Sequence, residues 1–222
     1  MQDVKILEVR QSVFADNNAD ADRLREQLKR EKTFLLNLMS SPGAGKTSTL
    51  LALADRLSAK LRMAVMEADI DSAVDAKAML AHGVDSIQIH TGGMCHLDAD
   101  MTRQGLNSLG SADYDLVILE NVGNLVCPAE FDTGACKNMT ILSVPEGHDK
   151  PLKYPLMYRT CHLLVINKID VLPYFDFDVD KVVEYAKMRN SDIDILFISA
   201  KTGEGIDALA DWILESVAQW NA

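Results

Sequence analysis

The segment from Phe34 to Leu57 constrains the fold more than any other part of the chain. Phe34-Leu35-Leu36-Asn37-Leu38-Met39 is an apolar run of strand length, and the stretch from Thr47 to Leu57 carries its apolar residues at helical spacing. Between them lies Ser40-Ser41-Pro42-Gly43-Ala44-Gly45-Lys46-Thr47. A glycine-bearing loop that joins a strand to a helix is the context in which backbone N–H groups cradle phosphate. The helix start adds its positive dipole end. Gly43, Ala44, Gly45, Lys46, Thr47 and Ser48 are therefore expected to line a phosphate site, with Lys46 as a point charge and the Thr47 hydroxyl turned to Mg²⁺. The first glycine of the usual G-x-x-x-x-G-K-[ST] pattern is replaced by Ser40. That position matters less than Gly45, where the backbone must approach phosphate most closely.

The rest of the chain repeats the strand–helix alternation. Apolar runs predict strands at 34–39, 63–67, 86–90, 115–120, 139–144, 162–167 and 194–198, and helical periodicity predicts helices at 46–59, 72–81, 96–108, 179–188 and 205–218. This pattern implies a P-loop NTPase fold of the α/β class: three layers, with a mostly parallel sheet of about seven strands covered by helices on both faces. Residues 1–32 read as an N-terminal segment ending in an amphipathic helix, with Leu24 and Leu28 on one stripe, and 33–222 as one nucleotide-binding domain. Residues 145–160 contain three prolines and Gly147 and read as a mobile loop.

A second motif names the base. Leu163 to Ile166 form an apolar strand that ends in Asn167-Lys168-Ile169-Asp170, and Ser199-Ala200-Lys201 follows another strand about 30 residues on. Ligands of open parallel sheets bind at the carboxyl ends of strands. A carboxylate at Asp170 can accept both hydrogen bonds from the N1–H and N2–H₂ edge of guanine, a donor pair that adenine lacks. The backbone after Ser199 is placed to meet the guanine carbonyl. The ligand expected from the two motifs together is GTP or GDP with Mg²⁺.

Two acidic strand ends face the phosphate end. Asp69 and Asp71 follow the strand at 63–67, and Glu120 ends the strand at 115–120. Lys46, Asp69, Asp71 and Glu120 are the candidate catalytic residues; Thr47, Asp69 and Glu120 are the candidate Mg²⁺ ligands. Gly123 can offer its N–H to the γ-phosphate with no side chain in the way. No internal arginine finger is evident, so slow intrinsic turnover is expected.

Cys95 and His96 are adjacent at the expected start of a helix, where a thiol ionises more readily. Cys127 follows the Glu120 loop. Two thiols and an imidazole suit Ni²⁺ or Zn²⁺ better than Mg²⁺. The alternative, buried and inert cysteines, stands equally open on these residues alone. Three ligands are one short of a closed site, which water or a second copy could complete. Cys161-His162 enters an apolar strand and reads as core; Cys136 and His148 have no evident partners.

Composition excludes several classes. A net charge of −11 argues against nucleic-acid binding through a basic surface. No apolar run reaches the roughly 18 residues of a membrane span. The charged start carries no secretory pattern, and four scattered cysteines suit a reducing cytoplasm.

Five separated blocks resemble the HypB family of GTPases that assist nickel insertion into [NiFe]-hydrogenase. They are Ser40–Leu50, Cys95-His96-Leu97-Asp98-Ala99, Glu120–Pro128, Glu146–Pro155 and Asn167–Pro173. The resemblance covers roughly residues 20–215. It implies a SIMIBI-class P-loop fold, GTP-dependent homodimerisation and a nickel or zinc site at Cys95, His96 and Cys127. It also implies the zinc protein HypA and the hydrogenase large-subunit precursor as partners. Lys153, Val171 and Phe175 are the expected dimer contacts, since Val171 to Phe175 is unusually apolar for a loop. The Cys-rich or His-rich stretches that some members carry have no counterpart in these residues. The related readings are the nickel GTPase of urease maturation and a cobalamin-related metallochaperone. From a different class comes a metal-binding module whose nucleotide is structural.

Overall fold

In the computed structural model, which describes residues 5–8, 17–69 and 74–222, all the expected strands belong to one parallel sheet. The chain begins with β1 (Lys5–Glu8) and α1 (Asn17–Glu31), then β2 (Phe34–Ser40), α2 (Lys46–Leu57), β3 (Met63–Asp69), α3 (Val74–Ala81) and β4 (Asp85–His90). It continues through α4 (Ala99–Leu109), β5 (Leu116–Glu120), α5 (Cys127–Glu130), β6 (Lys137–Ser143), α6 (Lys150–Lys153) and α7 (Pro155–Thr160). It closes with β7 (Leu163–Asn167), α8 (Val179–Arg189), β8 (Asp194–Phe197) and α9 (Ile206–Asn221). The spatial order is β1-β4-β3-β5-β2-β6-β7-β8, and every pairing is parallel. The eighth strand, β1, lies at the edge beside β4. Its four residues gave no readable period.

Side-chain alternation splits the core between the two faces of the sheet. Phe34, Leu36, Leu38, Leu116 and Ile118 pack on one face against Leu50, Leu53 and Leu57 of α2 and Leu209 and Ile213 of α9. Leu35, Val117 and Leu119 pack on the other against Leu24 and Leu28 of α1 and Met101 and Leu106 of α4. Strands buried on both faces read as continuous apolar runs, and this is why they were legible. Burying a leucine or phenylalanine this way contributes about 1.5–3 kcal/mol each.

Two expectations need correction. Residues 145–160 are not an open loop: Pro151 and Pro155 stand in the first turns of α6 and α7, and Met157 and Tyr158 are buried. Proline fits a helix start because the N–H it lacks has no partner there. The helix expected from residue 96 begins at Ala99 instead, because Asp98 caps it by accepting the N–H of Met101 at 2.8 Å. Among the described residues no helix is long and apolar enough to cross a membrane.

Candidate functional site

The phosphate loop leaves β2 at Ser40, which is fully buried. The Ser40 hydroxyl donates to the Ser41 carbonyl at 2.7 Å and accepts from Lys46 Nζ at 3.2 Å. The residue that departs from the glycine pattern therefore anchors the loop lysine. Gly45 sits at φ +99°, and a Cβ there would fall 2.5 Å from Asn167 Nδ2. Glycine is required on both counts. No side chain caps α2 at this end, so its first N–H groups face the cavity, as an anion site demands.

The cavity above the loop has a volume of about 610 Å³ and is lined by Pro42, Gly43, Gly45, Lys46, Thr47, Ser48, Glu67, Glu120, Gly123 and Lys168, among others. Glu120 places an oxygen 3.6 Å from Lys46 Nζ. Beside it stands Glu67, which sequence reasoning missed. The two are register partners on β3 and β5, and both are buried. A buried glutamate at an inward position of an otherwise apolar strand was the available signal. Thr47 and these two carboxylates offer oxygen donors to one cavity, the donor type that suits Mg²⁺. Asp69 ends β3, but its side chain lies outside the described residues, as does Asp71. A Cβ on Gly123 would lie 3.3 Å from Pro42 and 3.6 Å from Lys46 Nζ, so that loop touches the phosphate loop directly.

A second cavity of about 390 Å³, lined by Asn167, Asp170, Val171, Ala200 and Lys201, shares Gly45, Ser48 and Lys168 with the first. The two lie end to end, as a base and a phosphate chain do. Asn167 ties three loops together. Its Nδ2 donates to the Ala44 carbonyl at 2.9 Å, and its Oδ1 accepts from Lys168 N at 2.7 Å and Ala200 N at 3.2 Å. Lys168 Nζ donates to the Gly43 carbonyl at 2.7 Å. Ser199, expected to touch nucleotide, is fully buried; its hydroxyl donates to Asp170 Oδ1 at 2.7 Å and so aims the carboxylate.

Beyond Glu120, Asn121 is fully buried and enters a chain of amides on the opposite face of the sheet. Its Nδ2 donates to Asn37 Oδ1 at 3.1 Å, and Asn37 Nδ2 donates to Asn138 Oδ1 at 3.0 Å. Asn124, three residues on, donates through Nδ2 to the Cys95 carbonyl. Its Oδ1 accepts from the N–H groups of Val126 and Cys127, each at 2.9 Å.

That brings the thiols together. Cys127 opens α5, and the neighbouring Cys95 thiol, with burial, holds its pKa above the ordinary thiol value. Cys95 is exposed and lies four residues before α4, so the expected helix-start position does not apply to it. His96 Nδ1 lies 3.9 Å from Cys95 Sγ, and the ring stacks on Phe131 with centroids 3.5 Å apart. Burial lowers the His96 pKa and so favours the neutral imidazole that can ligate. Among the described residues no three His, Cys, Asp or Glu side chains converge on one metal position. The donor types fit a soft divalent ion. In one chain they form a thiol pair with the imidazole stacked beside it.

The remaining candidates are structural or superficial. Cys161 is buried, and His162 Nδ1 accepts from Asn138 N at 3.0 Å. Cys136 Sγ accepts from Leu35 N at 3.3 Å, and burial pushes its pKa up to about 12. His148 Nδ1 accepts from Asp178 N at 3.2 Å. Lys153 pairs with Asp149 at 2.6 Å on the surface. Val171 lines the base cavity, while Tyr174 and Phe175 are exposed at 81% and 45%.

Known proteins bear on this arrangement. Residues 34–197 match the CobW/HypB/UreG nucleotide-binding domain family. The chain is 44% identical over 213 residues to the hydrogenase maturation factor HypB of Escherichia coli, covering 96% of this chain and 73% of that protein. It is 37% identical to the hydrogenase/urease maturation factor HypB of Helicobacter hepaticus, covering 97% of this chain and 90% of that one. The crystal structure of HypB from Helicobacter pylori in complex with nickel superposes with a TM-score of 0.87 at 36% identity, covering 92% of this chain and 96% of that one. A match of this breadth, in sequence and in fold, places the chain in the HypB family of CobW/HypB/UreG nucleotide-binding proteins.

Proposed function

We propose that this chain is a GTP-hydrolysing metallochaperone that carries nickel toward a hydrogenase precursor. The observation that carries the reading is one continuous chain of contacts. Asp170 lines a cavity that shares Gly45, Ser48 and Lys168 with the phosphate cavity, and the loop touching the phosphate cavity at Gly123 holds Cys95 and Cys127 through Asn124.

Within this reading, Asp170 reads guanine, held at the required angle by Ser199. Lys46 exchanges its contact with Glu120 for phosphate oxygens as GTP enters. The α2 N–H groups and Gly123 surround the γ-phosphate. Mg²⁺, when bound by Thr47 and the carboxylates of this cavity, neutralises charge on the phosphates. Asp69 orients the attacking water. Among the described residues no arginine lines either cavity. Intrinsic hydrolysis is accordingly slow, which suits a timed switch rather than a metabolic enzyme.

Nickel is cargo, held by Cys95 and Cys127 with His96, and zinc competes for the same donors. A GTP-dependent homodimer forms on the nucleotide face, where Tyr174 and Phe175 are exposed beside the base cavity, with Lys153 contributing. A HypA-type zinc protein and the large-subunit precursor are the expected partners in the cytoplasm. The name of the Helicobacter hepaticus relative favours a second client, urease, for the same cargo.

Multi-angle light scattering with GDP and with a non-hydrolysable GTP analogue, with and without Ni²⁺, tests the switch. Dimer mass is expected with the analogue and monomer mass with GDP. A monomer in every state, with no bound nickel, contradicts the reading.

A further inference from the structure

We propose that Asn124 is the positioning residue that makes the Cys95–Cys127 pair follow the phosphate loop. The inference rests on the switch reading above and goes beyond it by naming the part that links the two sites.

The segment from Glu120 to Cys127 is fixed at one end and tied at the other. At its fixed end Asn121 is wholly buried. Its backbone N–H donates to the Leu38 carbonyl at 2.9 Å, and its side chain joins the Asn37–Asn138 amide chain. A satisfied buried amide network resists displacement, since moving it strands polar groups without water. Asn121 and the next residues, Val122 and Gly123, all line the phosphate cavity. A Cβ on Gly123 would press on Pro42 and reach ordinary contact with Lys46 Nζ. Phosphate in the cavity lies against this stretch as well as the phosphate loop.

With Asn121 fixed, a shift at Gly123 must pass to Asn124. The three side-chain bonds of Asn124 divide between the two thiol segments. The amide nitrogen holds the Cys95 carbonyl, 29 residues away in sequence. The amide oxygen holds the Val126 and Cys127 N–H groups at the start of α5. One planar side chain thus sets the separation of two cysteines that belong to different loops. Only asparagine or glutamine offers a donor and two acceptor sites on one rigid plane, and glutamine is a methylene too long for this span. Rotating that plane changes the Cys95–Cys127 distance, and metal affinity follows ligand spacing.

Asn124→Asp separates the two halves of the tether. It keeps the oxygen that accepts from Val126 and Cys127 and replaces the donor to the Cys95 carbonyl with a second acceptor. Ni²⁺ is titrated into the full chain by its thiolate-to-metal absorption, in GDP and in a non-hydrolysable GTP analogue. GTP turnover is followed in parallel. Wild type is expected to bind Ni²⁺ with affinities that differ between the states by about 5–150-fold, the usual span of coupled sites. In Asn124→Asp the two affinities should come within about twofold. Asn124→Ala should behave alike and also bind more weakly in both states. As a metal-free readout, the alkylation rate of exposed Cys95 should depend on the nucleotide in wild type and not in Asn124→Asp. A merely structural role lowers affinity equally in both states and keeps the ratio. A wild-type-sized ratio in Asn124→Asp, or nucleotide-dependent alkylation of Cys95 in that variant, overturns the proposal. Equal affinities in wild type overturn the switch reading itself, and this proposal with it.

Discussion

The base-reading end and the thiol end of this molecule are built on opposite terms. At the base end every group is held before a ligand arrives: Asn167 bonds three loops, Lys168 holds Gly43, and Ser199 aims Asp170. At the thiol end Cys95 is exposed, the His96 ring is stacked on Phe131, and the two cysteine segments hang on one amide. Pre-organisation lowers the entropy lost on binding and sharpens discrimination. Under the proposed function the thiol site must release its cargo, and it would gain from the reverse, because ligands that converge only in one state let go in the other. The difference follows from sequence location. The base clamp hangs on the ends of buried strands β7 and β8, whereas the thiols sit on connections at the carboxyl edge of β4 and β5.

Substitutions can break that contrast, and their effects should fall in order. Lys46→Ala removes the charge that meets phosphate and should lower kcat by about 10²–10³-fold, as loss of one preorganised donor does in other enzymes. Stopped assays of phosphate release check this; the fold should be retained but the thermal midpoint should fall, because buried Glu120 loses its cation. Asp170→Asn should cost about 1.5–3 kcal/mol of GTP affinity, since it removes a charged acceptor. It should leave ATP binding weak but unchanged. Competition between GTP and ATP reads it, and a wild-type margin for GTP would sink the base assignment.

Gly45→Ala attacks the clamp from the loop side. The added carbon meets Asn167 Nδ2 and the backbone is held at φ +99°, a strain of about 1–3 kcal/mol. GTP and GDP affinities should fall together, whereas a loss confined to GTP would place the strain at the γ-phosphate instead. Ser199→Ala is the mildest. Asp170 loses one oriented partner worth about 0.5–1.5 kcal/mol, so Kd for GTP should rise severalfold with kcat nearly constant. If Ser199→Ala matched Asp170→Asn in size, Ser199 would have to touch the base itself.

Strand-length apolar runs made the sheet legible, because strands covered on both faces carry no alternation to misread. The phosphate loop and Asn167 to Asp170 were legible because their chemistry needs particular residues at fixed spacing. What stayed hidden depends on contacts across the chain. Glu67 ends an expected strand and carries no motif, and only its register with Glu120 puts it in the cavity. Asn124 is an ordinary loop residue until Cys95 is folded against it. Pro151 and Pro155 read as loop breakers, yet proline serves a helix start as readily. Ser199 belongs to a readable Ser-Ala-Lys motif, but its bond to Asp170 appears only in the fold.

The central claim is that the rigid end and the adjustable end share one free energy. Linkage makes the coupling reciprocal: if nucleotide changes nickel affinity, nickel must change nucleotide affinity by the same factor. The direct measurement is the affinity of GDP and of a fluorescent non-hydrolysable GTP analogue, with and without saturating Ni²⁺, in wild type and in Cys95→Ala. Nickel should shift the ratio of the two affinities by about 5–150-fold in wild type and leave it unchanged in Cys95→Ala. An unchanged ratio in wild type, with nickel bound, would mean that the two ends work independently and would contradict the account.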